Sequence, residues 1–172
     1  MISGLILTDS KDQKSCIAFL DDSTKCFELE SNEEIVDEIV KRKPEILAVN
    51  AGNDEIRGEL TEKESELKEE GHTFTPTSHN KMLSRRLEAL ESQLFAEMGA
   101  EGPEIIRFEP AITSKQLAID GDSALNSMGI DTSEIGSARE FDAVLGAVTA
   151  RFYQQNQFSD MGVIVPENLE QD

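Results

Sequence analysis

The 172-residue chain contains no Trp, one Tyr and two Cys, and its 16 Lys and Arg stand against 35 Asp and Glu. Each scarcity excludes something. Cys16 and Cys26 form neither a CxxC pair nor part of a Cys/His cluster, so no zinc site and no disulfide framework is expected, and the compartment reads as reducing. The net charge of −19 repels phosphate backbones and rules out a histone-like or general DNA-coating role. No apolar run approaches the roughly 20 residues that cross a bilayer, and the opening MISGLILTDSKD meets charge too early for a signal peptide. A cytoplasmic protein without membrane contact is the expectation. There is no Gly-rich loop of the Walker or dinucleotide kind, no His spaced to activate Ser10 or Thr8, and no metal-ligand spacing between His72 and His79. Most of the surplus acid reads as solvated surface, of the kind that high salt makes tolerable.

What is present reads as one α/β domain over residues 1–172, with a charged excursion at 53–72 and an acidic tail at 167–172. Residues 2–8, 15–20 and 25–29 are apolar, β-prone runs separated by turn chemistry, an antiparallel meander in which Cys26 or Phe27 faces inward according to register. Ser31 with Glu34 makes a capping box, and Ile35, Val36, Ile39 and Val40 keep helical spacing up to Pro44. Ile46-Leu47-Ala48-Val49 is continuous enough for a strand buried on both faces and parallel to the first. From Asn80 an amphipathic helix carries Met82, Leu83, Leu87, Leu90, Leu94, Phe95 and Met98, all read as core. Residues 105–108 extend the sheet, 114–136 read as short helix and loop, and a helix from Ala138 to about Gln155 bears the small residues Ala143, Gly146, Ala147 and Ala150, suited to pressing on a sheet. Residues 163–165 are expected to pair at a sheet edge. The resulting fold class is a mixed sheet of about five strands flanked by helices.

Three acids occupy positions that sheet enzymes use for metal ligands: Asp9 after the first strand, Glu109 after the strand at 105–108, and Asp142 near the start of the last helix. Carboxylates so placed can hold the two magnesium ions of a two-metal phosphoryl hydrolase. The segments LTDSKDQKSCIAFLDD, EILAVNAG, ELTEKESELKEEGHTFTP, IIRFEPA, SAREFDAVLGAVTARFY and GVIVP, in that order, resemble the predicted nucleases of the ribonuclease H-like fold grouped as domain of unknown function 429. The resemblance implies that fold, a Mg2+ or Mn2+ cofactor, a structured nucleic acid as substrate, and Asp9, Glu109 and Asp142 as catalytic metal ligands. It also implies a fourth ligand where that family has Asp-Ala-Pro; here stand Asn50-Ala51-Gly52, and an amide brings no negative charge to a cation. Lys81, Arg85 and Arg86 are the basic cluster from which phosphate contacts would come. Two functional classes follow: a metal-dependent nuclease weakened at Asn50, or a catalytically inactive binding or scaffold protein of the same fold with a protein partner.

Overall fold

Alternation along the first strands decides the layers. In Ile2–Ile6 (β1), Ser15–Leu20 (β2) and Thr24–Leu29 (β3) each strand sends alternate residues to opposite faces, and both faces of β1 and β2 are buried. The structure is a computed structural model describing residues 1–8, 13–50, 62–71 and 81–167, with 62–65 and 81 defined by backbone alone. β1 pairs antiparallel with β2, and β2 with β3, as the meander requires. Ile46–Val49 (β4) pairs parallel to β1, and Glu104–Arg107 (β5) parallel to β4, so the five-stranded sheet runs β3-β2-β1-β4-β5.

One face carries Leu5, Leu7, Ile17, Phe19, Leu47 and Val49 under two helices, Asn32–Arg42 (α1) and Lys81–Met98 (α3). α1 begins at Ser31, whose side chain accepts from the Glu34 amide, and ends where Lys43 turns left-handed. The Arg42 guanidinium at its last turn stacks 4.7 Å from the Phe27 ring and 5.2 Å from Phe19. The register left open by the sequence is thereby settled: Phe27 belongs to this layer, and Cys26 to the other.

The second face is covered by Ala138–Gln154 (α6), capped by Ser137, which accepts from the Glu140 amide. Gly4 pairs with Ala18 on one side and Ala48 on the other, so a row of the smallest residues crosses the middle of the sheet. α6 lies in that trough. A Cβ on Gly4 would sit 2.0 Å from the Ala143 carbonyl oxygen, and one on Gly146 would sit 2.7 Å from the Phe108 ring. Burial beneath α6 pushes the Cys16 thiol up to about 11 and the Cys26 thiol up to about 12, so both are protonated packing groups.

The expectations for the last strand and for two apolar residues of α3 are corrected, while the short helix and loop expected over 114–136 are present. Ile164–Pro166 (β7) does not join the main sheet; it pairs with Phe158–Asp160 (β6) in a separate hairpin packed on α6 and on Pro110–Gln116 (α4). Residues 114–136 hold only the end of α4 and one further helix, Asp122–Ser127 (α5). Within the charged excursion Glu62–Glu69 forms a helix (α2) whose Leu67 packs with Ile112 and Val165. Met82 and Phe95 are not core: the helical wheel puts Leu83, Leu87, Leu90 and Leu94 on the sheet, while Met82 and Phe95 lie off that stripe and remain exposed.

The Gly4 contact is with backbone atoms that cannot rotate away, whereas Gly146 meets the tip of one ring. Gly4→Ala is therefore expected to cost more than about 3 kcal/mol or to prevent folding, and Gly146→Ala about 1–3 kcal/mol. Denaturant unfolding measures both, and Phe108→Leu should recover part of the Gly146→Ala loss but none of the Gly4→Ala loss.

Candidate functional site

The carboxyl ends of β1, β4 and β5 meet at one edge of the sheet, and the amino-terminal half of α6 reaches the same edge. Its orientation is fixed at both ends: Arg139 donates to the Lys14 carbonyl beside β2, whereas Tyr153 and Gln154 bond to Glu104 and Glu45 at the opposite ends of β5 and β4. Asp142 lies one helical turn before Gly146, toward the carboxyl edge, near enough to Cys16 at the end of β2 for its charge to raise that thiol.

The strand ends are built unusually. Regular pairing of β1 with β4 stops at Leu5, yet the next residues are held by side chains. Asn50 donates from Nδ2 to the Leu7 carbonyl at 3.1 Å and accepts the Leu7 amide on Oδ1 at 2.8 Å, imitating one more residue of parallel strand. The Thr8 amide donates to Ser15 Oγ at 3.3 Å, and its hydroxyl to the Gln13 carbonyl at 2.7 Å. Arg86 completes the arrangement: Nη1 donates to the Thr8 carbonyl and to Ser15 Oγ, both at 2.8 Å, and Nε to Asn32 Oδ1 at 2.9 Å. Partial burial lowers its guanidinium pKa.

The expected site residues are thus distributed as follows. Asp9 lies outside the described residues, directly after Thr8. Asn50 and Glu109 stand at the ends of the neighbouring strands β4 and β5, where the Phe108 amide donates to the Val49 carbonyl. Glu109 is the residue before Pro110 at the start of α4, and its carbonyl accepts from the Ile112 and Thr113 amides. Asp142 is half-buried, its pKa is raised by that burial, and it borders a cleft with Asp120, Asp122, Ser137 and Phe141. No three Asp, Glu, His or Cys side chains among the described residues converge to hold an ion.

Two expectations change character. Arg86, grouped with Lys81 and Arg85 as a phosphate contact, turns inward because Thr8, Ser15 and Asn32 offer it fixed acceptors; Arg85 is exposed, and the Lys81 side chain lies outside the described residues. Asn50 suits its place as an amide: a carboxylate could accept from the Leu7 N–H but could not donate to its carbonyl. Sequence reasoning missed this strand-end clamp. The local signal was an amide at position 50, at a strand end where a carboxylate was looked for.

The carboxylates of Asp142 and Glu109 are hard oxygen donors of the kind a divalent cation takes, and Asp142 is partly desolvated; among the described residues no third such side chain joins them to hold an ion. Asn50 spends its Nδ2 donor and one Oδ1 lone pair on Leu7, which leaves at most one neutral lone pair for the part of fourth ligand.

The strand order with α6 across β1 defines an α/β protein of the ribonuclease H-like fold. A chain of T. thermophilus RuvC in complex with a Holliday junction substrate matches over 96% of this chain and 99% of its own, with a TM-score of 0.57 and 11% sequence identity. A second Thermus thermophilus RuvC structure covers 95% of this chain and 98% of its own at 13% identity and a TM-score of 0.49. This likeness is one of fold. No family model and no curated protein matches the sequence, so the narrower grouping as domain of unknown function 429 has no support while the fold it implied is present.

Asn50→Asp is expected to lower stability by about 1–3 kcal/mol, by leaving the Leu7 carbonyl without its donor and placing a charge there. Arg86→Ala should cost about 2–4 kcal/mol and Arg85→Ala under about 0.5 kcal/mol, all measured by denaturant unfolding. Asp142→Asn should raise Tm at neutral pH. Because the folded-state pKa of Asp142 lies above its unfolded value, its charging disfavours the fold as pH rises between the two, so the Tm gain should vanish in acid and reach a plateau above the raised pKa.

Proposed function

We propose that the protein binds one divalent cation, Mg2+ or Mn2+, at the carboxyl edge of the sheet through Asp142 and Glu109 together with Asp9, and acts there as a nuclease on structured nucleic acid. The observation that carries this reading is Asp142: a half-buried carboxylate with raised pKa, on the helix that crosses β1, at the edge where Glu109 and the end of β1 also lie. When bound, such a cation supplies Lewis acidity toward a phosphodiester and lowers the pKa of water. The chain's own residues contribute placement. Asn50 and Arg86 fix Leu7 and Thr8, and hence the backbone entering Asp9. Branched DNA is the first substrate class to try, since the RuvC chain of the same fold was solved with a Holliday junction.

The engagement of Asn50 with Leu7 favours a second reading, a protein that keeps the fold for binding without hydrolysis. A carboxyl edge with one fewer charge binds a cation less strongly, and a surface of net charge −19 holds nucleic acid only when salt or bound cations screen it.

Calorimetric titration with MgCl2 and MnCl2 at moderate and high salt, on the wild type and Asp142→Asn, separates the two. Saturable binding weakened at least about tenfold in the variant, with metal-dependent cleavage of a four-way junction, is the expected outcome. Equal binding in both proteins sinks the cation site, and cation binding without cleavage of branched or single-stranded DNA leaves the non-hydrolytic reading.

A further inference from the structure

Thr113 in α4 and Thr149 in α6 are completely buried, and their hydroxyl oxygens lie 2.7 Å apart across the contact between the two helices. The direction of that bond follows from a second one. Thr149 donates its single proton to the Leu145 carbonyl at 2.9 Å, so the Thr113 hydroxyl is the donor between the two, and a relay runs from Thr113 through Thr149 to Leu145. Packing alone does not call for hydroxyls here, since Val has nearly the same shape and carries no desolvation cost. What the relay adds is direction. Apolar surfaces in contact tolerate small shifts, whereas a hydrogen bond holds only near one distance and angle.

This relay lies where it can place the two described acids of the carboxyl edge. On α6, Asp142, Gly146 and Thr149 follow one another at i, i+4 and i+7 and so share one stripe of the helix. The chain leaving β5 meets that stripe twice, with Phe108 seated at Gly146 and Thr113 at Thr149. Glu109 lies between those two contacts. Its carbonyl accepts from the Thr113 amide, so Thr113 is joined to Glu109 through its backbone and to α6 through its hydroxyl. We propose that Thr113 and Thr149 are positioning residues for the cation site, their relay locking α4 to α6 and thereby fixing Glu109 relative to Asp142. The inference rests on the cation reading above and adds two residues that touch neither cation nor substrate.

Calorimetric titration of the full chain with MnCl2 tests it on the wild type, Asp142→Asn, Thr113→Val, Thr113→Ser and the double variant Thr113→Val/Thr149→Val. Thr113→Val leaves Thr149 bonded to Leu145, and replacing both partners by apolar groups of the same shape is nearly neutral for folding, so both variants should unfold in denaturant close to the wild-type midpoint. Their Mn2+ affinity should nonetheless fall about tenfold, while Thr113→Ser, which keeps the donor, stays within about twofold. Without metal, the amides at positions 112 and 113, both bonded to Glu109, should exchange with solvent about tenfold faster in the double variant, and those of α1 at the wild-type rate. Binding that Asp142→Asn weakens but the Val variants leave unchanged, unaltered exchange at positions 112 and 113, or a Thr113→Ser no better than Thr113→Val overturns the positioning role and spares the cation site. A wild type that takes up no Mn2+, or binds it no better than Asp142→Asn, overturns the cation site and the positioning role with it.

Discussion

The backbone contact between α6 and β1 governs the rest of the molecule. Gly4 has no side chain because the Ala143 carbonyl and the Ala147 amide occupy the space where one would go, and Ala18 and Ala48 beside it keep the trough open. A helix that deep in a sheet cannot slide or rotate without collision, because packed interiors leave no free volume. Its position therefore fixes three things at once. Phe108 is seated against Gly146, the β6–β7 hairpin has a surface to rest on, and Asp142 is carried to the carboxyl edge of the strands. The buried Thr113 and Thr149 hydroxyls, 2.7 Å apart, tie α4 to the same helix, and Thr149 also donates to the Leu145 carbonyl.

At that edge the sheet is finished by side chains. Parallel strands cannot all end together without leaving backbone groups unpaired, and each unpaired group under cover costs about 1–3 kcal/mol. Asn50, Ser15 and Arg86 answer this for Leu7 and Thr8. The solution constrains chemistry, because the amide that closes the ladder stands where a carboxylate would strengthen a cation site. Structure and charge compete for one position, and in this chain the hydrogen-bonding demand of Leu7 is the one satisfied.

The two helical layers differ in what they leave outside. α6 meets the sheet with its small residues, so that face of the helix is used up internally. α3 meets the sheet through leucines spaced along one stripe, and its remaining apolar residues point outward among charges of both signs.

The order of strands and helices was legible in the sequence, since period-two runs, the Ser31 and Glu34 cap, and the continuous run at 46–49 are local signals that local physics enforces. The close seating of α6 was legible too, from its small residues, although Gly4 as their counterpart was not, because a lone glycine in a strand has no sequence signature of what approaches it. Position at a strand end singled out Glu109, and position on the first turn of the last helix singled out Asp142; both lie toward the carboxyl edge of the sheet. The sequence could not show that Phe95 and Met82 stay outside, because an apolar residue one position off the stripe looks the same until the helix is docked. Nor could it show that Arg86 faces inward or that Asn50 closes a ladder. Composition and periodicity determined the class of fold; the partners of polar side chains 43 and 78 positions apart were decided only when packing brought β1, β4 and α3 together.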